Sequence, residues 1–323
     1  MPRDKKQSGS LIYGPVPSRR LGLSLGVDLV PYKTCTFDCI YCQIGRTAQT
    51  TTERRPYVEP EMILSELKLR LEEGAAPDFI TLGGSGEPCL NSEIGRIIKQ
   101  IRQISDIEVA VLTNGSLLWS PQVRADLMGA DVVLPSLDAY DEETFRKINR
   151  PDPDITFEAL LGGLAEFRKV YRGRIWLEIF IVRGINDTEE AMAAFRSHVE
   201  EIAPDKIHIN TAVRPTAEDY AGQVSGQRLE RLASALGHGA EVVAEFRESS
   251  DAVKEKETDS RILDMVSRRP CTASDIAAGL GIEETFVERR MSEFSDSGIV
   301  ETKKSRGRIY YLKKFEIREQ NML

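Results

Sequence analysis

Between residues 23 and 211, six short apolar runs alternate with stretches of helical spacing. No other feature of the chain restricts the fold so strongly. The strand-like runs cover residues 23–30, 78–82, 109–113, 131–137, 175–182 and 206–211. Helical spacing covers 61–73, 91–104, 121–128, 141–147, 157–171 and 188–202. In 91–104, for example, Ile94, Ile97, Ile98 and Ile101 fall on one face, as an amphipathic helix requires. Asp187 and Glu190 stand at capping-box spacing at the start of the last helix. Such alternation predicts an α/β fold with a parallel sheet and right-handed crossovers. Six units are short of an eightfold barrel. A partial barrel and an open doubly wound sheet both fit the count.

Cys35, Cys39 and Cys42 lie within eight residues just past the first run, spaced Cys-x-x-x-Cys-x-x-Cys with Tyr41 before the last. A disulfide framework would not bunch three of five cysteines in this way. The spacing points to a metal site in a reducing, cytoplasmic setting. Three thiolates can ligate three irons of a 4Fe–4S cluster and leave the fourth iron open. A structural zinc site is the competing reading, but it wants a fourth protein ligand.

Other small and polar residues collect at the ends of the predicted strands. Gly83-Gly84-Ser85-Gly86-Glu87-Pro88 follows the second, Thr113-Asn114-Gly115 ends the third, and Ser136-Leu137-Asp138 ends the fourth. Asn210-Thr211 ends the sixth. In a barrel of parallel strands these positions share one rim, where functional groups gather. Each has a plainer reading as well. The Gly-rich stretch makes a βα turn, Asn114-Gly115 is a turn signal, and Asp138 can cap the helix at 141–147.

The cysteine trio with its preceding aromatic, followed after the next strand by Gly83-Gly84 and Glu87, resembles the radical S-adenosylmethionine (SAM) superfamily over residues 13–215. The chain departs from the commoner Gly-Gly-Glu form by the inserted Ser85-Gly86. The resemblance implies a partial (β/α)6 TIM-like barrel with a 4Fe–4S cluster and SAM as cofactors. It implies that Cys35, Cys39 and Cys42 hold three irons, while the amino and carboxylate groups of SAM chelate the fourth. Reductive cleavage would give a 5′-deoxyadenosyl radical that abstracts hydrogen from a substrate. Gly83 and Gly84 would let backbone approach the methionine moiety, and Glu87 would accept from its ammonium group. Tyr41 would pack near the adenine edge. Ser136 and Asp138 would contact ribose or carboxylate, and Asn210 ribose or adenine. A flavodoxin- or ferredoxin-like donor would supply the electron.

The remaining reactive residues are read mainly as structural. Cys89 fits a buried small side chain better than a hydrogen-atom donor, and Cys271 is read as structural. His198, His208 and His238 show no shared metal spacing, although His208 alternates with Ile207 and Ile209 and so sits on a polar strand face. Arg19-Arg20 and Arg54-Arg55 are solvated surface by default. Their sharper alternative is a clamp for a substrate carboxylate or phosphate.

Past residue 247 the composition changes, and 248–258 is almost wholly polar. Helical stretches at 261–267, 274–279 and 282–294 and a hairpin at 299–312 predict a small C-terminal winged helix-turn-helix domain. The expected organisation is a flexible N-terminus at 1–12, the barrel at 13–247, a linker at 248–258, the winged-helix domain at 259–315 and a tail at 316–323. Residues 259–323 hold 12 Lys and Arg against 11 Asp and Glu, in a chain of net charge −8. Glu283, Glu284, Glu288 and Glu293 crowd the third helix, where a DNA reader needs cations. Lys303, Lys304, Arg306 and Arg308 cluster in the wing. An iron–sulfur redox-sensing DNA-binding regulator is therefore the lesser alternative to an enzyme. The substrate is RNA, a peptide or a small metabolite. The RNA reading follows a resemblance to the wyosine-synthase-like subgroup, whose second cluster lacks ligands here, since no cysteine precedes Cys35. No apolar run reaches the ~18 residues of a membrane span, and 1–10 lacks the h-region of a secretory signal.

Overall fold

The computed structural model describes residues 10–243, 255–305 and 307–314. The chain divides into two compact units, residues 1–245 and 246–323.

The first unit is built on an eight-stranded sheet in strictly sequential order. Its strands are β1 (Ile12–Ser18), β2 (Gly22–Val27), β3 (Phe79–Leu82), β4 (Glu108–Thr113), β5 (Val132–Pro135), β6 (Arg174–Ile181), β7 (Lys206–Thr211) and β8 (Glu241–Val242). From β2 to β8 every neighbouring pair is parallel. Helices α1 (Pro60–Glu72), α2 (Ile94–Ile104), α3 (Pro121–Asp126), α4 (Glu142–Ile148), α5 (Phe157–Val170), α6 (Glu189–Ile202) and α7 (Gly226–Leu236) fill the crossovers. A doubly wound sheet reverses its strand order at a switch point. This one never does, so of the two architectures that fit the count the partial barrel is the one formed.

The six expected strands are β2–β7. Two others escaped the sequence pattern. β1 reads Ile-Tyr-Gly-Pro-Val-Pro-Ser, and its prolines resemble a loop. The strand pairs antiparallel with β2 and stands at the sheet edge, where proline is tolerated. Leu11 and Ile12, placed in the expected flexible terminus, are buried; residues 1–9 lie outside the described residues. β8 is only two residues long, too short for any periodicity. The cap of α6 also differs from expectation. Thr188 caps it by accepting from Ala191 N, while Asp187 accepts from Gly184 N at 2.8 Å.

Strand alternation sorts side chains to two faces. Leu177, Ile179, Ile181, Ile207 and Ile209 join one large apolar cluster with helix residues such as Ile97, Phe195 and Leu232. Trp176, Glu178 and Phe180, the alternate residues of β6, face the inside of the curved sheet. Leu21, Phe79, Ala110, Val132, Leu134 and Trp176 form an apolar floor there.

The second unit contains α8 (Glu255–Arg268), α9 (Ala273–Leu280), α10 (Glu284–Asp296) and an antiparallel pair, β9 (Val300–Ser305) with β10 (Arg308–Lys313). Thr272 and Asp275 form a capping box at the start of α9. Cys271 is buried and pairs in a bridge with Tyr311. The expected linker at 248–258 lies outside the described residues as far as 254, and from 255 the backbone is helical. Arg306 and the expected tail at 316–323 also lie outside them.

Candidate active site

Between β2 and α1 the chain runs from residue 28 to 59 without helix or strand. Hydrogen bonds to segments beyond β3, β4 and α4 fix this loop. Lys33 N donates to Ser85 O at 2.7 Å and Glu87 N to Thr34 O at 3.0 Å, so the Gly-rich turn zips onto the loop just before Cys35. The Thr36 and Ser116 hydroxyls meet at 2.8 Å. Ile40 N donates to Ile148 O at 2.9 Å, and Asp38 N to Asn149 O at 3.1 Å.

Cys35, Cys39 and Cys42 are half-buried free thiols. Each sulfur accepts from a side-chain nitrogen, Cys35 also from the Phe37 backbone, and the three side chains come from separate places. Asn114 Nδ2 lies 3.6 Å from Cys35 Sγ, Asn149 Nδ2 3.5 Å from Cys39 Sγ, and Lys33 Nζ 3.7 Å from Cys42 Sγ. Burial, followed by the nearby Glu87 carboxylate, pushes the Cys35 thiol up to about 12. Burial and Asp138 likewise raise Cys39. A bound cation reverses this preference, because a coordinating thiol is deprotonated outright.

The donor set fits an iron–sulfur cluster. Thiolates are the usual cluster ligands, and N–H groups aimed at the sulfurs favour the charged form. Among the described residues, no three Cys, His, Asp or Glu side chains converge on one ion-sized position. Asn149 bears on SAM, the other cofactor that the resemblance implies, since a cluster carries no N–H. Only 3% of it is exposed, yet its Oδ1 has no hydrogen-bond partner among the described residues. A buried acceptor left without a donor costs about 1–3 kcal/mol, and a ligand N–H would satisfy it.

The other expected site residues gather round the same rim, several of them already engaged. Both Glu87 oxygens accept protein donors: Oε1 takes Thr113 Oγ1 at 2.7 Å and Cys89 N at 3.0 Å, and Oε2 takes Asn114 N at 2.7 Å. Burial still raises its carboxyl above the ordinary value. Asp138 accepts from the Tyr41 hydroxyl, from Asn149 Nδ2 at 2.8 Å and from Phe180 N at 3.0 Å. Asp141, rather than Asp138, caps α4. Tyr41 stacks on Phe180 with ring centroids 3.9 Å apart. Ser136 is half-buried and bridges Glu178.

Gly83 and Gly84 both have left-handed φ, +146° and +149°. A Cβ on Gly84 would lie 2.6 Å from Asp28 Oδ1 and 2.7 Å from the Tyr13 hydroxyl, which itself donates to Gly83 O. Gly86 is the tightest point, since a Cβ there would lie 1.9 Å from Thr34 O. The inserted Ser85-Gly86 is therefore the part of the turn that meets the cysteine loop.

Asn210 faces the barrel interior. Its Oδ1 accepts from Arg19 at 3.1 Å, and its Nδ2 donates to Glu178 Oε1 at 3.4 Å. Arg20 pairs with Glu178. Arg54 ties the cysteine loop to α3 through Cys89 O at 2.8 Å and Asp126 at 2.7 Å, and Arg55 lies over the Tyr57 ring. Cys89 is fully buried among apolar side chains. His198 meets Tyr140 O at 3.0 Å, and His238 pairs with Glu200 on the surface. His208 is buried, and burial followed by Arg20 and Lys206 lowers its pKa to about 4. Sequence reasoning missed Lys33, Asn149 and Glu178, which belong to no motif. Asn149 and Glu178 reach the site only through the folding of α4 and β6.

The family model of the radical SAM superfamily matches residues 29–196. The UPF0026 protein MJ1312 of Methanocaldococcus jannaschii is 30% identical over 97% of this chain and 99% of its own length. A protein called GTPase Obg from Brachyspira hyodysenteriae is 37% identical over 90% of this chain. The chain spans only 43% of that relative's length. Among solved structures, a radical SAM methyltransferase from Sphaerobacter thermophilus superposes with a TM-score of 0.53 at 16% identity, covering 68% of this chain and 65% of the other. The structure of native anSMEcpe with bound AdoMet gives 0.50 at 17% identity, covering 66% and 58%. At such identities the likeness is one of fold.

Proposed function

The chain belongs to the radical SAM superfamily, and on that footing we propose that it is an enzyme that cleaves SAM reductively and abstracts hydrogen from a substrate held inside the barrel. The family's cofactors are a 4Fe–4S cluster and SAM, and its reaction needs a reductant. When bound, these cofactors supply a 5′-deoxyadenosyl radical; the protein's part is binding, orientation and exclusion of water. Cys35, Cys39 and Cys42 hold the cluster. Asn114, Asn149 and Lys33 steady the three sulfurs. Gly83, Gly84 and Glu87 form the wall for the methionine part of SAM, and Tyr41, Ser136, Asp138 and Asn210 surround its nucleoside. The observation that carries this reading is the side-chain nitrogen donor on each cysteine sulfur, delivered from three separate segments. The DNA-binding regulator is set aside, because family membership makes the chain an enzyme.

The electron donor is proposed to be flavodoxin- or ferredoxin-like. The second unit is proposed as a winged-helix accessory module that engages an RNA or peptide partner through Lys303, Lys304 and Arg308, which are exposed on β9 and β10. The test is anaerobic reconstitution followed by a 5′-deoxyadenosine assay with a chemical reductant. Wild type is expected to hold iron and release 5′-deoxyadenosine from SAM. The variant with Cys35→Ala, Cys39→Ala and Cys42→Ala is expected to do neither. Cleavage retained by the triple variant would overturn the assignment.

A further inference from the structure

Inside the barrel a polar layer lies on top of the apolar floor. On β6 and β7 the inward-facing pairs run Trp176 with Lys206, Glu178 with His208, and Phe180 with Asn210. Trp176 belongs to the floor, and its ring meets the His208 ring with centroids 5.7 Å apart. Phe180 belongs with Ile40 and Tyr41 to the cluster beside the cysteine loop. Glu178 and His208 therefore stand between floor and cysteines. The β1–β2 turn sends two guanidinium groups here, Arg20 to Glu178 and Arg19 to Asn210, which lies one inward-facing pair nearer the cysteines. His208 is 5% exposed, and its Nδ1 has no hydrogen-bond partner among the described residues.

Among the described residues, the hydrogen bonds of the thiols and of the Gly-rich turn go to other groups than this layer. A barrel that needed only filling would hold branched apolar side chains here. Replacing a buried ion pair by apolar residues is often neutral or stabilising. Arginine, glutamate, histidine and asparagine packed together inside the barrel thus work against stability, and such sites are commonly functional. Guanidinium is the side chain whose fork matches carboxylate and phosphate oxygens.

We propose that Arg19, Arg20, Glu178, His208 and Asn210 form the substrate site, and that it takes a small molecule by a carboxylate or phosphate group. Arg19 and Arg20 bind the oxyanion, Glu178 and Asn210 hold the two guanidinium groups in place, and His208 Nδ1 meets a polar atom of the same molecule. Asn210 joins this site to the cofactor side of the barrel. The inference rests on the radical SAM reading for the position of the cluster above the layer.

The test uses reconstituted full-length holoenzyme. It is titrated separately with inorganic phosphate and with malonate at an ionic strength held constant with chloride, and the thermal midpoint is followed. Two variants are compared with wild type, Arg19→Met and the double variant Arg20→Met with Glu178→Met. The double exchange removes both members of the pair, so neither charge is left buried alone. Wild type is expected to show a saturable rise with one or both anions, and each variant to need at least tenfold more anion for half-saturation. A response to phosphate alone assigns a phosphate-bearing substrate, to malonate alone a carboxylate, and to both the shared oxyanion chemistry. No saturable rise beyond chloride, or equal half-saturation in all three proteins, would make the layer a strap that only ties the β1–β2 turn to β6 and β7. Iron content and the cluster's EPR spectrum are read on the same wild-type samples. Protein that takes up no cluster fails the radical SAM reading, whereas a loaded protein with no anion response fails only this inference.

Discussion

At the scale of single residues, Lys33 shows how the loop sets function against local preference. Its φ is +64°, in the left-handed region that costs a non-glycine residue roughly 1–2 kcal/mol. Glycine would relieve that strain, yet the position holds a lysine whose ammonium lies 3.7 Å from Cys42 Sγ and also reaches Gly45 O. A hydrogen bond and a positive charge beside a cluster thiolate favour the reduced, more negative state. Lys33→Met is therefore expected to move the cluster midpoint to more negative potential, with Lys33→Arg closer to wild type. Lys33→Gly should show the same redox shift while keeping or raising the thermal midpoint. An EPR-monitored redox titration is the check, and equal midpoints in wild type and Lys33→Met would remove the role. The three cysteines proposed as ligands stand out from spacing alone, because such a motif is local in sequence. Lys33 was not legible, because nothing in a sequence signals that a lysine will take a left-handed backbone. Asn149 was illegible for another reason: it is separated from Cys39 by 110 positions along the chain.

At the scale of elements, the join between the Gly-rich turn and the cysteine loop is the sensitive point. The sequence showed that the turn follows β3 and the cysteines follow β2. Parallel pairing of β2 with β3 then had to bring their C-terminal ends side by side. It did not show that Gly86, more than Gly83 or Gly84, makes the close approach, because that depends on two loops whose backbones meet only after folding. A Cβ on Gly86 would fall 1.9 Å from Thr34 O, and backbone on both sides leaves no flexible side chain to yield. Gly86→Ala must separate the strands of the zip, weakening the bonds at Lys33 N and Glu87 N. Overpacking of this kind costs about 1–3 kcal/mol. The expected outcome is a lower thermal midpoint together with reduced iron uptake on reconstitution. Gly162→Ala is the control, since none of the described residues lies within 4 Å of its Cβ position. Equal iron uptake in the two variants would show that the turn does not position the cysteines. β1 was missed for the complementary reason. Its prolines speak against a strand in general but not against an edge strand, and edge position is a property of the assembled sheet.

At the scale of the whole molecule, the polar layer makes stability depend on pH in a direction that can be worked out. His208 has its pKa lowered to about 4, by burial first and then by Arg20 and Lys206. In the unfolded chain it titrates near the ordinary ~6.5. Between these values the unfolded state binds the proton and the folded state does not, so stability rises with pH across that window. The contribution is fully present above pH ~6.5 and is lost as the pH falls through about 4. The two values differ by an amount worth up to about 3 kcal/mol. Buried carboxyls act the other way: Glu87 and Asp138 have raised pKa values, so their protonation as pH falls favours the folded state. The absolute pH profile mixes the two signs, and only a difference isolates the imidazole. His208→Asn keeps a polar side chain at the position and removes the titration. Urea unfolding of both proteins from pH 7.5 down to the acid limit of reversibility is the measurement. The stability of wild type minus that of His208→Asn is expected to be flat above pH ~6.5 and to fall steadily below it. A difference that stays constant on acidification would mean that His208 is charged, or hydrated, inside the barrel.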